Sequence, residues 1–126
     1  MKLDFIENYN EHSESIIRLY DFDRSEADLF HRAIKLIVIE NRKNLDLTTL
    51  SFIESRNCYL TLCISDEDTG IISVDKLEFY CELTIEGYQR MLKLIEPFCN
   101  KESKAHQWLY DIDNPIDFLF SPAGSF

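Results

Sequence analysis

The sequence predicts an α+β fold in which a single antiparallel β-sheet of four or five strands carries two α-helices packed on one face, in the order β-α-β-β-β-α-β. Three apolar stretches, residues 45–54, 58–65 and 71–83, are separated by short runs rich in Ser, Asn, Asp and Gly. Such spacing is typical of hairpin connections and predicts a central three-strand meander. Residues 84–99 follow with an amphipathic helical pattern.

Both helices show recognisable start signals. Ser25 is expected to be the N-cap of the first helix, which ends before the polar run at residues 41–44. Leu29 and Leu36 widen its apolar stripe, so we expect this helix to be covered on more than one side. Thr84 is expected to cap the second helix, and Pro97 to kink it or end it early.

The two ends of the chain are less clearly patterned. Residues 1–14 are expected to be an irregular lead-in, although Phe5 and Ile6 could pack on the core, and residues 15–22 suit a first strand. Residues 108–110 and 116–120 predict a closing strand and its extension, with the final Phe126 fraying. With 126 residues, 45% of them hydrophobic, residues 1–126 are expected to form one domain.

Composition indicates a soluble cytoplasmic protein. No apolar run approaches the roughly 18–20 residues that cross a bilayer, and the amino-terminal stretch turns acidic where a signal peptide stays apolar. The four cysteines are irregularly spaced without a Cys-x-x-Cys pair, which favours buried free thiols in a reducing compartment over disulfides or zinc. We expect no cofactor and no metal.

Charge is the main functional signal in the sequence. The net charge is −10, and the acidic residues are concentrated in residues 1–30 and 64–89. Such a field repels nucleic acids and anionic membranes and attracts basic proteins. We therefore expect a non-enzymatic protein–protein interaction module, immunity-like or regulatory, that binds a basic partner. The acidic residues expected at its docking surface are Asp66, Glu67, Asp68, Asp75, Glu78 and Glu82.

An aromatic-rich carboxy-terminal segment adds a second candidate surface. Trp108, Phe118 and Phe120 either complete the core or are exposed for a partner. In the second case they would contribute to partner binding or to self-association.

An enzymatic alternative comes from the segment Asp21-Phe22-Asp23-Arg24-Ser25, which follows an apolar run. An acid-x-acid-x-hydroxyl loop at a strand end resembles the nucleophile motif of haloacid-dehalogenase-type phosphatases. The resemblance implies a metal-dependent hydrolase with Asp21 as nucleophile, Asp23 as acid and base, and metal-binding acids in residues 64–68. The same residues also suit the cap of the first helix.

Overall fold

The computed structural model describes residues 1–111 and 115–124, so Phe126 lies outside the described residues. The α+β class is confirmed, but the single antiparallel sheet is wrong, because the strands form two mixed sheets. The elements are β1 (Lys2–Ile6), β2 (Ser15–Tyr20), α1 (Arg24–Ala33), a π-helix (Ile34–Glu40), β3 (Leu45–Asp46), a 3₁₀ turn (Leu47–Thr49), β4 (Glu54–Ser55), β5 (Tyr59–Ile64), β6 (Gly70–Ser73), β7 (Glu78–Leu83), α2 (Ile85–Asn100), β8 (Gln107–Tyr110) and β9 (Ile116–Ser121).

The first sheet has the strand order β4-β1-β2-β9-β8. Its β1 lies within the expected lead-in and pairs antiparallel with β2, while β2 pairs parallel with β9. The closing strand and its extension are two antiparallel strands, β8 and β9. Phe118, Leu119 and Phe120 on β9 are buried on both faces of the strand, as is typical of a strand that lies inside a sheet, here between β2 and β8.

The second sheet has the order β3-β5-β7-β6, so the predicted meander is also wrong. The third apolar stretch is not one strand, because a turn at Asp75 divides it into β6 and β7. The Asp75 carboxylate accepts hydrogen bonds from the backbone N–H groups of Leu77 (3.0 Å) and Glu78 (2.9 Å), and Lys76 has a φ of 59°. As a result β7 lies parallel to β5, and β6 occupies the edge beyond it.

The first helix begins at a different cap from the predicted one, whereas its end before residue 41 and the start of the second helix are as predicted. Asp23, not Ser25, is the N-cap of α1, because its side chain accepts the Glu26 N–H in a capping box. The helix continues into the π-helix, and Leu29 and Leu36 are exposed, so they do not provide the second covered face. In α2 the Thr84 cap is confirmed, and Pro97 lies inside the helix.

Side chains from both sheets and both helices contribute to one core. Phe5 of the first sheet contacts Phe79 of the second, with 4.6 Å between ring centroids, while Phe22 and Phe98 contact Phe120. Among the described residues, no helix is both long and apolar enough to cross a bilayer.

Tyr88 of α2 holds the parallel strands of the second sheet together from the core side. Its buried hydroxyl lies within hydrogen-bond distance of the backbone carbonyl oxygens of Cys63 on β5 (2.8 Å) and Cys81 on β7 (2.7 Å), and these two oxygens share its single proton. Burial raises the pKa of Tyr88, and the neighbouring Cys81 raises it further. One helix side chain therefore links both strands at the same level.

Replacing Tyr88 with Phe removes this link but keeps the ring. We expect Tyr88→Phe to lower the free energy of unfolding by about 1–3 kcal/mol, because the two carbonyl oxygens lose the buried hydroxyl donor that they share. Chemical denaturation of both proteins measures the difference. Tyr59→Phe, at a half-exposed position, is the matched control with little expected effect; equal losses in the two variants would contradict the proposed role.

Candidate functional site

The candidate site is the solvent-facing side of the second sheet, which we call the outer face. Its side chains alternate along each strand with buried ones such as Leu60, Leu62, Phe79 and Cys81. The strand register places Tyr59 beside Glu78, Thr61 beside Tyr80, and Cys63 beside Glu82. The outer face comprises Asp46, Tyr59, Thr61, Cys63, Ile72, Glu78, Tyr80 and Glu82.

Large apolar side chains are exposed on this side of the molecule. Tyr59 is 47% exposed, and Tyr80 and Ile72 are each 40% exposed. The adjoining β6–β7 turn adds Val74 and Leu77, so five of the eight exposed large apolar side chains in the described residues belong to this one region. A concentration of exposed apolar side chains is typical of interaction surfaces, whereas scattered ones need no functional explanation.

The outer face also carries negative charge that is not neutralised within the protein. Among the described residues, Asp46, Glu78 and Glu82 form no ion pair. One oxygen of Asp46 accepts from the backbone N–H (2.9 Å) and hydroxyl (2.8 Å) of Thr48, which leaves its second oxygen available. None of the eight positions that define this face holds a basic residue.

A concavity of about 330 Å³ lies on this surface, toward β3 and the start of β5 and β7. Tyr59 and Tyr80 supply aromatic rings, Asp46 and Glu78 supply carboxylates, and Thr61 supplies a hydroxyl. Aromatic faces and carboxylates both attract cations. The arrangement therefore suits a positively charged group attached to an apolar stem.

The acidic residues predicted from sequence are divided between different environments. Glu78 and Glu82 lie on the outer face, whereas Asp66 and Glu67 are exposed in the β5–β6 loop. Asp75 lies in the β6–β7 turn, where hydrogen bonds from the Glu78 and Leu77 backbone lower its pKa. Its carboxylate is therefore partly used within the protein.

Asp68 fastens the β5–β6 loop to the start of α2. Its carboxylate accepts from the backbone N–H and hydroxyl of Thr84, both at 2.8 Å, and from the guanidinium of Arg90 at 2.7 Å. Its backbone carbonyl accepts from the Tyr110 hydroxyl at 3.0 Å. The Thr84 backbone bond is the largest cause of the lowered pKa of Asp68, and burial partly opposes it. This carboxylate is engaged within the protein, so we do not include it in the outer face.

The carboxy-terminal aromatic residues lie away from the outer face. Phe118 and Phe120 have no exposed surface and belong to the core, so they present nothing to a partner in this structure. Trp108 is partly buried, and its ring contacts those of Tyr9 and His106, with centroid separations of 6.4 and 6.0 Å.

Asp21 and Asp23 have local structural partners. The Asp21 carboxylate lies 3.0 Å from the Lys2 ammonium, and Asp23 caps α1. In the ranges 1–111 and 115–124, no group of three or more His, Cys, Asp or Glu side chains is arranged to hold a metal ion. The geometry therefore adds no support to the hydrolase interpretation.

Six residues of the outer face were absent from the predicted docking set: Asp46, Tyr59, Thr61, Cys63, Ile72 and Tyr80. The alternation of Tyr59 with Leu60 and of Tyr80 with Phe79 already indicates a polar side for each strand. That signal does not say which strands are neighbours. Without the β5–β7 pairing, the two tyrosines could not be placed on a common surface.

Asp117 of β9 is a buried carboxyl outside this surface, with 8% of its area exposed. Burial raises its pKa to about 6, and the charges of Glu14 and Asp111 contribute in the same direction. The folded state therefore favours the protonated form, so stability falls as pH rises from about 4 to about 6.

Asp117→Asn removes this pH dependence. We expect the variant to be more stable than the wild type at pH 7 by roughly 1–3 kcal/mol, and the difference to shrink near pH 4. Urea denaturation across this pH range measures it. Asp66→Asn, at an exposed loop position, is the control. A constant difference at every pH would contradict the titration of Asp117.

A substitution at Gly87 tests the close packing of the Asp68 carboxylate against the start of α2. A Cβ atom at position 87 would lie 2.6 Å from the Asp68 carboxylate and 3.0 Å from Leu83 Cβ. Gly→Ala within a helix ordinarily stabilises by about 1 kcal/mol, but here we expect Gly87→Ala to lower the melting temperature. Gln89→Ala, at an exposed position of the same helix, should leave it nearly unchanged. An increase at position 87 would contradict the close contact.

Comparison with protein-family models, with curated proteins and with solved structures finds no match to this chain. Function must therefore be argued from the geometry and charge of the site itself. The outer face combines exposed aromatic side chains with carboxylates that form no ion pair among residues 1–111 and 115–124, and both are features of binding surfaces.

Proposed function

We propose that this protein is a non-enzymatic interaction module that binds a basic protein through the outer face, with an immunity-like or regulatory role. The observation that carries the proposal is the coincidence of half-exposed Tyr59 and Tyr80 with the carboxylates of Asp46, Glu78 and Glu82, which form no ion pair among the described residues.

The two features serve different parts of binding. Tyrosine supplies a large, fairly rigid contact area, and such residues are enriched at the energetic centres of interfaces. Unpaired carboxylates accelerate encounter with a basic partner and discriminate against acidic ones. The net charge of −10 acts in the same direction at longer range.

The same charge disfavours nucleic acids and anionic membranes as partners. The four cysteines of the protein are free thiols, which fits a reducing compartment. Burial raises the pKa of Cys58 and of Cys81 to about 12, which makes these thiols unreactive near neutral pH. We therefore place the interaction in the cytoplasm.

The test compares capture from a native cell extract by three immobilised variants. Glu78→Lys with Glu82→Lys reverses charge on the outer face, and Asp66→Lys with Glu67→Lys reverses the loop. Glu86→Lys with Glu96→Lys, at exposed positions of α2, is the matched control. Mass spectrometry at low and high salt identifies the bound proteins.

We expect a basic protein to be captured by the wild type and the helix control, more weakly at high salt, and to be lost from the outer-face variant. Equal melting temperatures would show that all three variants fold. Capture that survives in the outer-face variant contradicts the assigned surface, and loss only in the loop variant moves the site to Asp66 and Glu67.

A further inference from the structure

We infer that the concavity on the outer face receives an arginine side chain of the basic partner. This inference rests on the proposed function and specifies which side chain of the partner occupies the concavity. We call this side chain the arginine anchor. The guanidinium would lie against the Tyr59 and Tyr80 rings and bond the carboxylates of Asp46 and Glu78, which border the same concavity.

The strand register places these rings and carboxylates around the concavity, where they could contact one guanidinium group. Asp46 pairs with Thr61 and Thr61 pairs with Tyr80, so these three form one row across β3, β5 and β7. Tyr59 and Glu78 form the next row on the same side of the sheet. With strands about 4.8 Å apart, Asp46 and Glu78 stand at opposite sides of the concavity, two strands from each other. A planar cation between them can meet a carboxylate on either side.

The protein already contains such an arrangement on its first sheet. There Arg18 bonds Asp4 through both Nε (2.7 Å) and Nη2 (2.9 Å), while its guanidinium carbon lies 3.9 Å from the centre of the Tyr20 ring. Arg18 and Asp4 are cross-strand neighbours on β2 and β1. A sheet surface of this chain can therefore hold arginine between a carboxylate and a tyrosine.

The outer face presents the acceptor half of that arrangement. Its tyrosines and carboxylates are in neighbouring positions, and the eight residues that define it include no cation of their own. An arginine from another protein would complete it. Charge complementarity is thus combined with a specific geometry that the same chain uses elsewhere.

Arginine fits this concavity better than lysine does. Its guanidinium is planar, carries five donors, is weakly hydrated and stacks on aromatic rings. Lysine is a compact and strongly hydrated point charge that gains less from a ring face. We therefore expect a clear preference between the two basic side chains.

Titration of the 126-residue chain with short capped peptides tests this preference directly. The probes are Gly-Arg-Gly, Gly-Lys-Gly and Gly-citrulline-Gly, and amide chemical shifts from NMR report where each binds. We expect Gly-Arg-Gly to shift the signals of Tyr59, Thr61, Glu78 and Tyr80, with an affinity about 3- to 10-fold above that of Gly-Lys-Gly. The neutral citrulline peptide should produce no such shifts.

Two variants locate the anchor. Tyr80→Leu keeps an apolar side chain but removes the ring, and Glu78→Gln removes one charge. Each should weaken Gly-Arg-Gly binding by about fivefold, whereas Glu86→Gln on α2 should not. Equal binding of the arginine and lysine peptides, shifts confined to residues 66–68, or no binding of Gly-Arg-Gly would overturn the arginine anchor.

The capture experiment separates this inference from the function beneath it. If the outer-face charge reversal abolishes partner capture while the peptides show no arginine preference, the anchor fails and the interaction surface stands. If Gly-Arg-Gly binds selectively but the outer-face variant captures the partner as well as the wild type does, the proposed function fails instead.

Discussion

The candidate surface depends on the parallel pairing of β5 with β7. This register sets Tyr59 beside Glu78 and Thr61 beside Tyr80, and a slip of one residue would turn every outer side chain toward the core. On the core side, the Tyr88 hydroxyl bonds a carbonyl of each strand. A buried helix residue thus fixes the spacing of groups on the opposite, solvent-facing side. The pairing of β5 with β7 therefore decides both where the surface lies and which chemical groups it presents.

Local signals in the sequence predicted the elements better than their arrangement. The amphipathic pattern and Thr84 cap located α2 correctly, because capping and helical periodicity are properties of neighbouring residues. Pairing between β5 and β7 joins segments with β6 between them in the chain, and no local pattern encodes it. The turn at Asp75 decides the outcome, since it allows β6 to fold back on the far side of β7. Residues 71–83 were treated as one continuous stretch, so the turn at Asp75 was not predicted.

The site was predictable only in part for a related reason. The sequence shows how many carboxylates the protein has. It does not show which of them are already bonded within the protein and which are free to bind a partner. Asp68 was predicted to be a docking residue, and in the structure its carboxylate is already bonded to Thr84 and Arg90, which hold the β5–β6 loop. Glu78 and Glu82 carry the same formal charge and meet no cation in the described part of the chain. Their value as binding groups follows from what surrounds them.

If the outer face docks a partner as proposed, its carboxylates, which form no ion pair among the described residues, would also decide which partner it selects. Half-exposed Tyr59, Ile72 and Tyr80 would by themselves favour contact with any apolar surface, including the same face of a second copy. In such a symmetric contact, the acidic groups of each copy would approach those of the other, and burying unpaired charges opposes it. A basic surface would remove this penalty and gain the aromatic contact as well. Under the proposed function, the carboxylates would therefore act twice, by disfavouring self-association through this face and by favouring a partner of opposite charge.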